Sequence, residues 1–434
     1  MYSIILLTEP PKELKVSEVG GKGYSLGVLA QEGFDIPNGF IILSDVFFDF
    51  LRFNNIMEKV EKLSSEIDEK NFKEKSEEIK VLILKGKIPK KIALEVKEGL
   101  EKLNSQYVSV RSSAVSEDGI KDSFAGLFDT FLNIKAESFF ILEYLKKCWT
   151  SLYNDRAIVY RIKKGGMPYL ERMAVIIQEM IPADVSGITY TVHPINKEGL
   201  LIEASHGIGD LIVGGIIEPD DYIVQRQSLE VTESKIGKKT KMSIIEKGEL
   251  KIIDVKKELA EMQILSNDKI IEIAKISLEI EKIFNHSQEI EWCILNNKLW
   301  ILQSRAITTT NYSKKRTIEE KFTLKGTPAS SGILRGKVII VEDKDEIENL
   351  NINSSTILVI KSTNPSYTLL ILAAGAVVVE SGSIGAHVAQ ICREVGKPCI
   401  VQVENAYDVM SNWNSAYIDG SSGLISKIEG ENES

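Results

Sequence analysis

The stretch "TTNYSKKRTIEEKFTLK", residues 309–325, breaks the strand–helix pattern of the chain with polar and charged residues. Before it, residues 107–310 alternate apolar strands, glycine turns and helices, the habit of a mixed α/β domain. After it, residues 326–425 form a second run of strands with helices. The break itself has no apolar periodicity and reads as an interdomain linker. At 434 residues the chain can bury two or three cores. Residues 1–55 mix a short strand, a glycine turn and a helix. Residues 56–104 are rich in Lys and Glu at helical spacing and read as solvated helices laced with i,i+4 pairs.

The charge balance narrows the function classes. Net charge is -9 and the pI is near 5.4, which argues against nucleic acid as a partner but leaves room for a local basic pocket. Cys148, Cys293, Cys392 and Cys399 form no CxxC pair. The opening "SIILL" is too short for a signal segment and lacks a basic flank. These features predict reduced thiols in a cytoplasmic protein. No apolar stretch approaches membrane-spanning length, so no membrane partner is expected.

Five stretches can carry chemistry. In "VGGKGYSLG", residues 19–27, a glycine turn enters a helix and Lys22 places a point charge at its start. That suits a phosphate, although the Walker A spacing is absent. In "VSVRSSAVSEDGIKDSFAGLFDTFLNI", residues 108–134, Arg111 ends a strand and can clamp phosphate oxygens bidentately. The small-residue loop that follows, with Gly126 and then Thr130, can close over a polyphosphate; the bland alternative is a surface hairpin with a structural arginine. In "AVIIQEMI", residues 174–181, Gln178 and Glu179 intrude on an apolar strand whose end can read an adenine edge through backbone groups.

The fourth stretch, "EIEWCILNNKLWILQSRAIT" at 289–308, looks like a hairpin. A three-residue loop, Asn296 to Lys298, would set Glu291 opposite Gln303 and Glu289 opposite Arg305. A two-residue turn would set Glu291 against Leu302 and dissolve that cluster. In the first register a carboxylate and an amide oxygen converge, a donor set fit for Mg²⁺ on nucleotide phosphates, with Arg305 near to neutralise charge. The alternative is a solvated Glu–Arg cross-strand pair.

The fifth is "ESGSIGAHVAQICRE", residues 380–394. Residues 374–379 read as a buried strand, and Val388, Ile391, Cys392 and Val395 then recur at helical spacing. A helix therefore begins near Ala386, with His387 in its first turn. Among small neighbours and off the apolar stripe, His387 reads as an accessible nucleophile that can carry a phosphoryl group, or as a plain helix-start histidine.

Taken together, "GGKGYSLG…IPNGFII", "VRSSAVSEDG…SFAGLFDTFLNI", "EIEWCI…LQSRAIT" and "SGSIGAHVAQICREVGKPCIV" resemble, in order, the phosphohistidine dikinase family. That family includes phosphoenolpyruvate synthase, pyruvate phosphate dikinase and rifampicin phosphotransferase. The resemblance implies an α/β and α+β multidomain fold. Residues 1–308 would be an ATP-grasp nucleotide-binding domain with lobes at roughly 1–175 and 176–308. Residues 309–325 would be the linker, and 326–430 a swivelling β/α phosphohistidine domain. It also implies that Lys22, Arg111, Gly126, Thr130, Gln178 and Arg305 contact ATP, that Glu291 and Gln303 hold Mg²⁺, and that His387 is phosphorylated. The activity implied is a dikinase-type transfer of the ATP β-phosphoryl to a small-molecule acceptor, pyruvate or another, with AMP and phosphate as products.

The chain departs from the family in two respects. Gly385 and Ala386 stand where a Ser or Thr pair is usual. No stretch corresponds to the pyruvate-binding barrel or to the drug-binding domain of the rifampicin enzymes. The expectation is therefore an ATP-dependent phosphotransferase, or one half of one: the acceptor binds a pocket on this chain, or sits on a separate protein chain carrying the missing domain, which would make this a split phosphoenolpyruvate synthase. A small-molecule or antibiotic phosphotransferase that needs no partner and a non-catalytic nucleotide-binding regulator are the alternatives.

Overall fold

The structure is a computed structural model that describes residues 3–116, 127–163, 170–195, 197–307, 323–341, 351–363 and 367–428. Gly126 and most of the expected linker lie outside the described residues. The chain forms two compact units, and neither is one stretch of sequence. The first gathers Met1–Ala183, Ile244–Lys251 and Ile290–Ala306; the second gathers Asp184–Ser243, Ile252–Glu289 and Ile307–Ser434.

The first unit is built on a five-stranded sheet. Its strands are β1 (Ile4–Leu6), β2 (Gly39–Ile42), β3 (Tyr107–Ala114), β4 (Thr130–Lys135) and β5 (Met173–Glu179), in the order β1-β2-β5-β3-β4 with antiparallel neighbours. β3 and β5 are buried along almost their whole length, and "MAVII" is accordingly an apolar run without alternation. The helix Val16–Gln31 lays Val19 and Leu26 against Leu7, Ile41, Ala174 and Ile176. The Lys- and Glu-rich region folds into the expected helices, Met57–Ser65, Phe72–Lys85 and Lys90–Leu103.

The glycine turn breaks the first helix. Gly20 has φ 70 and ψ 174, a backbone region that only glycine visits readily. A Cβ there would lie 2.0 Å from the Ser113 carbonyl oxygen. The helix restarts beyond it, and Ser113 Oγ accepts the Gly23 N–H at 3.0 Å while donating to the Val19 carbonyl at 2.8 Å. Gly20→Ala should therefore cost about 2 kcal/mol of stability through strain and steric clash. Urea unfolding of the two proteins measures it; an unchanged midpoint would mean that the kink is not held by this contact.

The second unit holds two sheets. The first is antiparallel, with β6 (Val185–Tyr190), β7 (Leu200–His206), β8 (Asp220–Val224) and β9 (Val231–Lys235) in sequence order. β10 (Lys241–Glu246) and β11 (Glu249–Asp254) pair with each other. β12 (Gln288–Leu295) and β13 (Lys298–Ala306) form the hairpin expected from the sequence.

The remaining strands make the eight-stranded sheet of the second unit. They are β14 (Leu324–Lys325), β15 (Thr327–Ser330), β16 (Ile333–Val341), β17 (Thr356–Ile360), β18 (Ala376–Val379), β19 (Cys399–Val401), β20 (Ser415–Asp419) and β21 (Leu424–Lys427). The order is β14-β21-β20-β16-β17-β18-β19-β15, and β16 to β19 are parallel neighbours. Val338, Ile357, Val359, Val378, Ile400 and Ile418 fill its core. β18 falls inside the apolar run expected at 374–379.

Asp220, on β8, is fully buried. It accepts the Lys239 ammonium, the Gly237 N–H at 3.0 Å, the Tyr222 hydroxyl at 2.9 Å and the Ile264 N–H at 2.9 Å. Every one of these partners is in the second unit. No helix among the described residues is long and apolar enough to cross a membrane.

Candidate nucleotide and histidine sites

In the first unit four of those five stretches of sequence meet around Arg111. Arg111 lies on β3 and is 8% exposed. Its Nη1 donates to Gln178 Oε1 at 3.1 Å and to the Leu302 carbonyl at 2.7 Å. Its Nη2 donates to Gln303 Oε1 at 2.5 Å and to Glu291 Oε2 at 3.3 Å. Thr130 opens β4 directly opposite Arg111. Lys22, in the first turn beyond the Gly20 kink, donates from Nζ to the Ser112 carbonyl at 3.3 Å, one residue along from Arg111. The strand period puts Arg305 on the same side of β13 as Gln303, and it too is buried.

The hairpin turn corrects one expectation. It has two residues, Asn296 and Asn297, with φ 51 and 65, and both left-handed positions suit asparagine. A turn of this length was expected to disperse Glu291 and Gln303. The pair persists because the cluster is organised by Arg111 from another strand, and its fork reaches both long side chains.

This donor set fits a magnesium nucleotide. The Glu291 and Gln303 oxygens are hard ligands, and a cationic N–H already sits on both. Among the described residues no group of three or more His, Cys, Asp or Glu forms a closed metal site. Two protein oxygens completed by phosphates and water are what Mg²⁺ on a nucleotide takes. Arg111 Nε is buried without a hydrogen-bond partner among the described residues, so the guanidinium keeps a donor in hand.

His387 belongs to the second unit. The helix His387–Glu394 begins where the sequence placed it, with Ala386 as an extended N-cap that has no capping side chain. Its accessibility differs from expectation: His387 is 4% exposed, and its Nε2 lies 3.2 Å from Thr368 Oγ1, at the start of the helix Thr368–Ala373. Small neighbours let the turn pack closely, so the imidazole is covered rather than displayed. Ile384 joins Ile188, Tyr190, Leu201 and Leu211 in one apolar cluster, which fixes the turn to β6 and β7.

Carboxylates hold this turn; sequence reasoning had not assigned Glu203 and had placed Glu289 only opposite Arg305 in the hairpin. Glu203, on β7, accepts the Gly385 N–H with Oε1 at 3.2 Å and Oε2 at 3.1 Å. Gln390 Nε2 donates to the Gly385 carbonyl and to Glu289 Oε1, each at 2.9 Å. Arg393 donates to the Ile384 carbonyl at 2.7 Å and the Ala329 carbonyl at 3.0 Å. Burial, reinforced by Asp221, pushes Glu203 up to about 8, against the pull of the Gly385 N–H and Arg393. Burial also raises Asp221, its cross-strand neighbour. The one visible hint was a charged residue inside the apolar run "LLIEA". His193 serves a turn: its Nδ1 accepts the Ile195 N–H at 3.2 Å, and burial with Arg393 nearby lowers its pKa to about 4.

The family described as "Pyruvate phosphate dikinase, AMP/ATP-binding domain" matches residues 16–326, and "PEP-utilising enzyme, mobile domain" matches residues 352–423. A probable phosphoenolpyruvate synthase of Methanocaldococcus jannaschii is 36% identical over 388 residues, covering 85% of this chain and 32% of that protein. Another, of Archaeoglobus fulgidus, is 35% identical over 423 residues, covering 94% of this chain and 56% of its own. The phosphoenolpyruvate synthase of Pyrococcus furiosus is 31% identical over 483 residues, covering 98% of this chain and 59% of its own. The chain spans about half the length of most of the curated relatives it matches.

Proposed function

Since the chain belongs to the family of pyruvate phosphate dikinase and PEP-utilising enzymes, we propose that it moves the ATP β-phosphoryl group through His387 to a small acceptor. The observation that carries this reading is the convergence of Gln178, Glu291 and Gln303 on Arg111. Lys22, Arg111, Gly126, Thr130, Gln178 and Arg305 would bind ATP. Glu291 and Gln303 would hold Mg²⁺, which neutralises phosphate charge when bound. Residues 1–308 would be the ATP-grasp region and 326–430 the phosphohistidine domain, swinging on 309–325.

The imidazole of His387 attacks the β-phosphorus in line, and the bond from that phosphorus to the bridging oxygen of AMP breaks. The γ-phosphoryl passes to water as inorganic phosphate, and the β-phosphoryl stays on His387. Arg111 and Lys22 meet the charge that builds on the phosphate oxygens, and the N–H groups of the helix start stabilise the phosphorylated ring. His387 must first leave Thr368, so loading requires the covered turn to open. On the names of the relatives, the acceptor is pyruvate, whose enol oxygen takes the phosphoryl group. A separate chain would bring the pyruvate site.

ATP labelled at the β-phosphorus tests this. The expected result is acid-labile, base-stable label on the wild type and none on His387→Ala. Loss of that label to pyruvate only when a barrel-bearing protein is added would support the split enzyme. Loss to an alcohol or antibiotic without a partner would make the chain a small-molecule phosphotransferase. Bound ATP with no label under any condition would favour a regulator, a reading to which Gly385, Ala386 and the covered His387 lend weight.

A further inference from the structure

The turn before His387 is fitted to its seat at one residue. A Cβ on Gly385 would lie 2.2 Å from Glu203 Oε2, 2.9 Å from the Tyr190 hydroxyl and 3.2 Å from Ile188 Cδ1. The peptide at 385 is gripped from both sides, its N–H by Glu203 and its carbonyl by Gln390, which Glu289 orients. Glu203 is fully buried on β7. We propose that Glu203 is a positioning residue for His387: its carboxyl group seats the Gly385 peptide on the β6–β7 surface, and a side chain at 385 would have to push that group aside.

This accounts for the glycine that departs from the family pattern at 385. A hydroxyl side chain there would displace the carboxylate that receives the backbone. The seating is a property of the turn itself and does not depend on His387 being a phosphorylation site. Its bearing on phosphoryl transfer rests on the function proposed above: the turn must be released before the imidazole can react and recaptured afterwards.

The seat responds to pH in a defined direction. Asp221 on β8 and Glu289 on β12 disfavour a charge on Glu203; Arg393 and the Gly385 N–H favour it; the Tyr190 hydroxyl faces the same point. A carboxyl with its pKa raised in the seated state binds its proton more tightly there than when the turn is released. Seating is therefore strongest at low pH. It weakens as pH rises from the ordinary carboxylate range through about 8, and is level above that.

Amide hydrogen exchange of residues 383–390 in the full chain tests this without ATP, so a failure of phosphoryl transfer leaves the readout intact. Exchange in Glu203→Ala and Gly385→Ala should be faster than wild type by about tenfold or more, while the β16–β18 amides stay protected. Glu203→Gln keeps an oxygen acceptor and cannot ionise. It should retain most of the protection, and its opening equilibrium, corrected for the intrinsic base-catalysed rate, should lose the rise seen in wild type between pH 6 and about 8. Equal exchange in wild type and Glu203→Ala, or the same pH slope in wild type and Glu203→Gln, would overturn the proposal. If Glu203→Ala fails to fold, the Glu203→Gln slope decides.

Discussion

Arg111→Met should lower the rate of His387 labelling from ATP by about a thousandfold. One guanidinium joins Gln178, Leu302, Glu291 and Gln303, which lie on three different strands. Methionine keeps an apolar stem but removes every donor. The phosphate oxygens then lose a bidentate partner, and Glu291 and Gln303 lose the group that draws them together. Arg111→Lys should recover only part of the rate, because an ammonium restores charge without the fork. Initial labelling rates, with ATP affinity measured separately by calorimetry, would show whether binding or transfer suffers. A wild-type rate in Arg111→Met would remove this cluster from the nucleotide site.

Asp220→Ala should lower the stability of the second unit by about 3–5 kcal/mol. Both members of the Asp220–Lys239 pair are fully buried, so removing the carboxylate strands an ammonium in the core. The Gly237 and Ile264 N–H groups and the Tyr222 hydroxyl lose their acceptor as well. Thermal unfolding should shift downward on the order of 10 °C. Asp220→Ala combined with Lys239→Met should recover part of the loss, since no charge is then left unpaired. If the single and double variants melt together, the stranded ammonium is not the cause.

Periodicity made the helix at His387, the strand before it and the hairpin legible, because each follows from local apolar spacing. The four ordered motifs, read together, carried the family. What stayed hidden depends on contacts between residues far apart in sequence. The hairpin register alone argued against the Glu291–Gln303 pair under a two-residue turn, and Arg111, 180 residues from Glu291, reversed that. Glu203 looked like one odd charge in an apolar strand, and only the fold brings it to Gly385, 182 residues on. The contact of His387 with Thr368 likewise joins two separate helix starts, which no local pattern names.

The discontinuous units have a consequence for biosynthesis. Arg111 and Gln178 leave the ribosome early, while Glu291 and Gln303 follow Arg111 by 180 and 192 residues. At ordinary elongation rates that delay is roughly 10–40 s. Through it, the nascent chain must store an incomplete first unit while the β6–β9 segment is made. The five-stranded sheet can form during the wait, since its strands lie within the first 179 residues. The arginine cluster cannot, and so becomes the last part of that unit to be finished, although most of the unit was synthesised first.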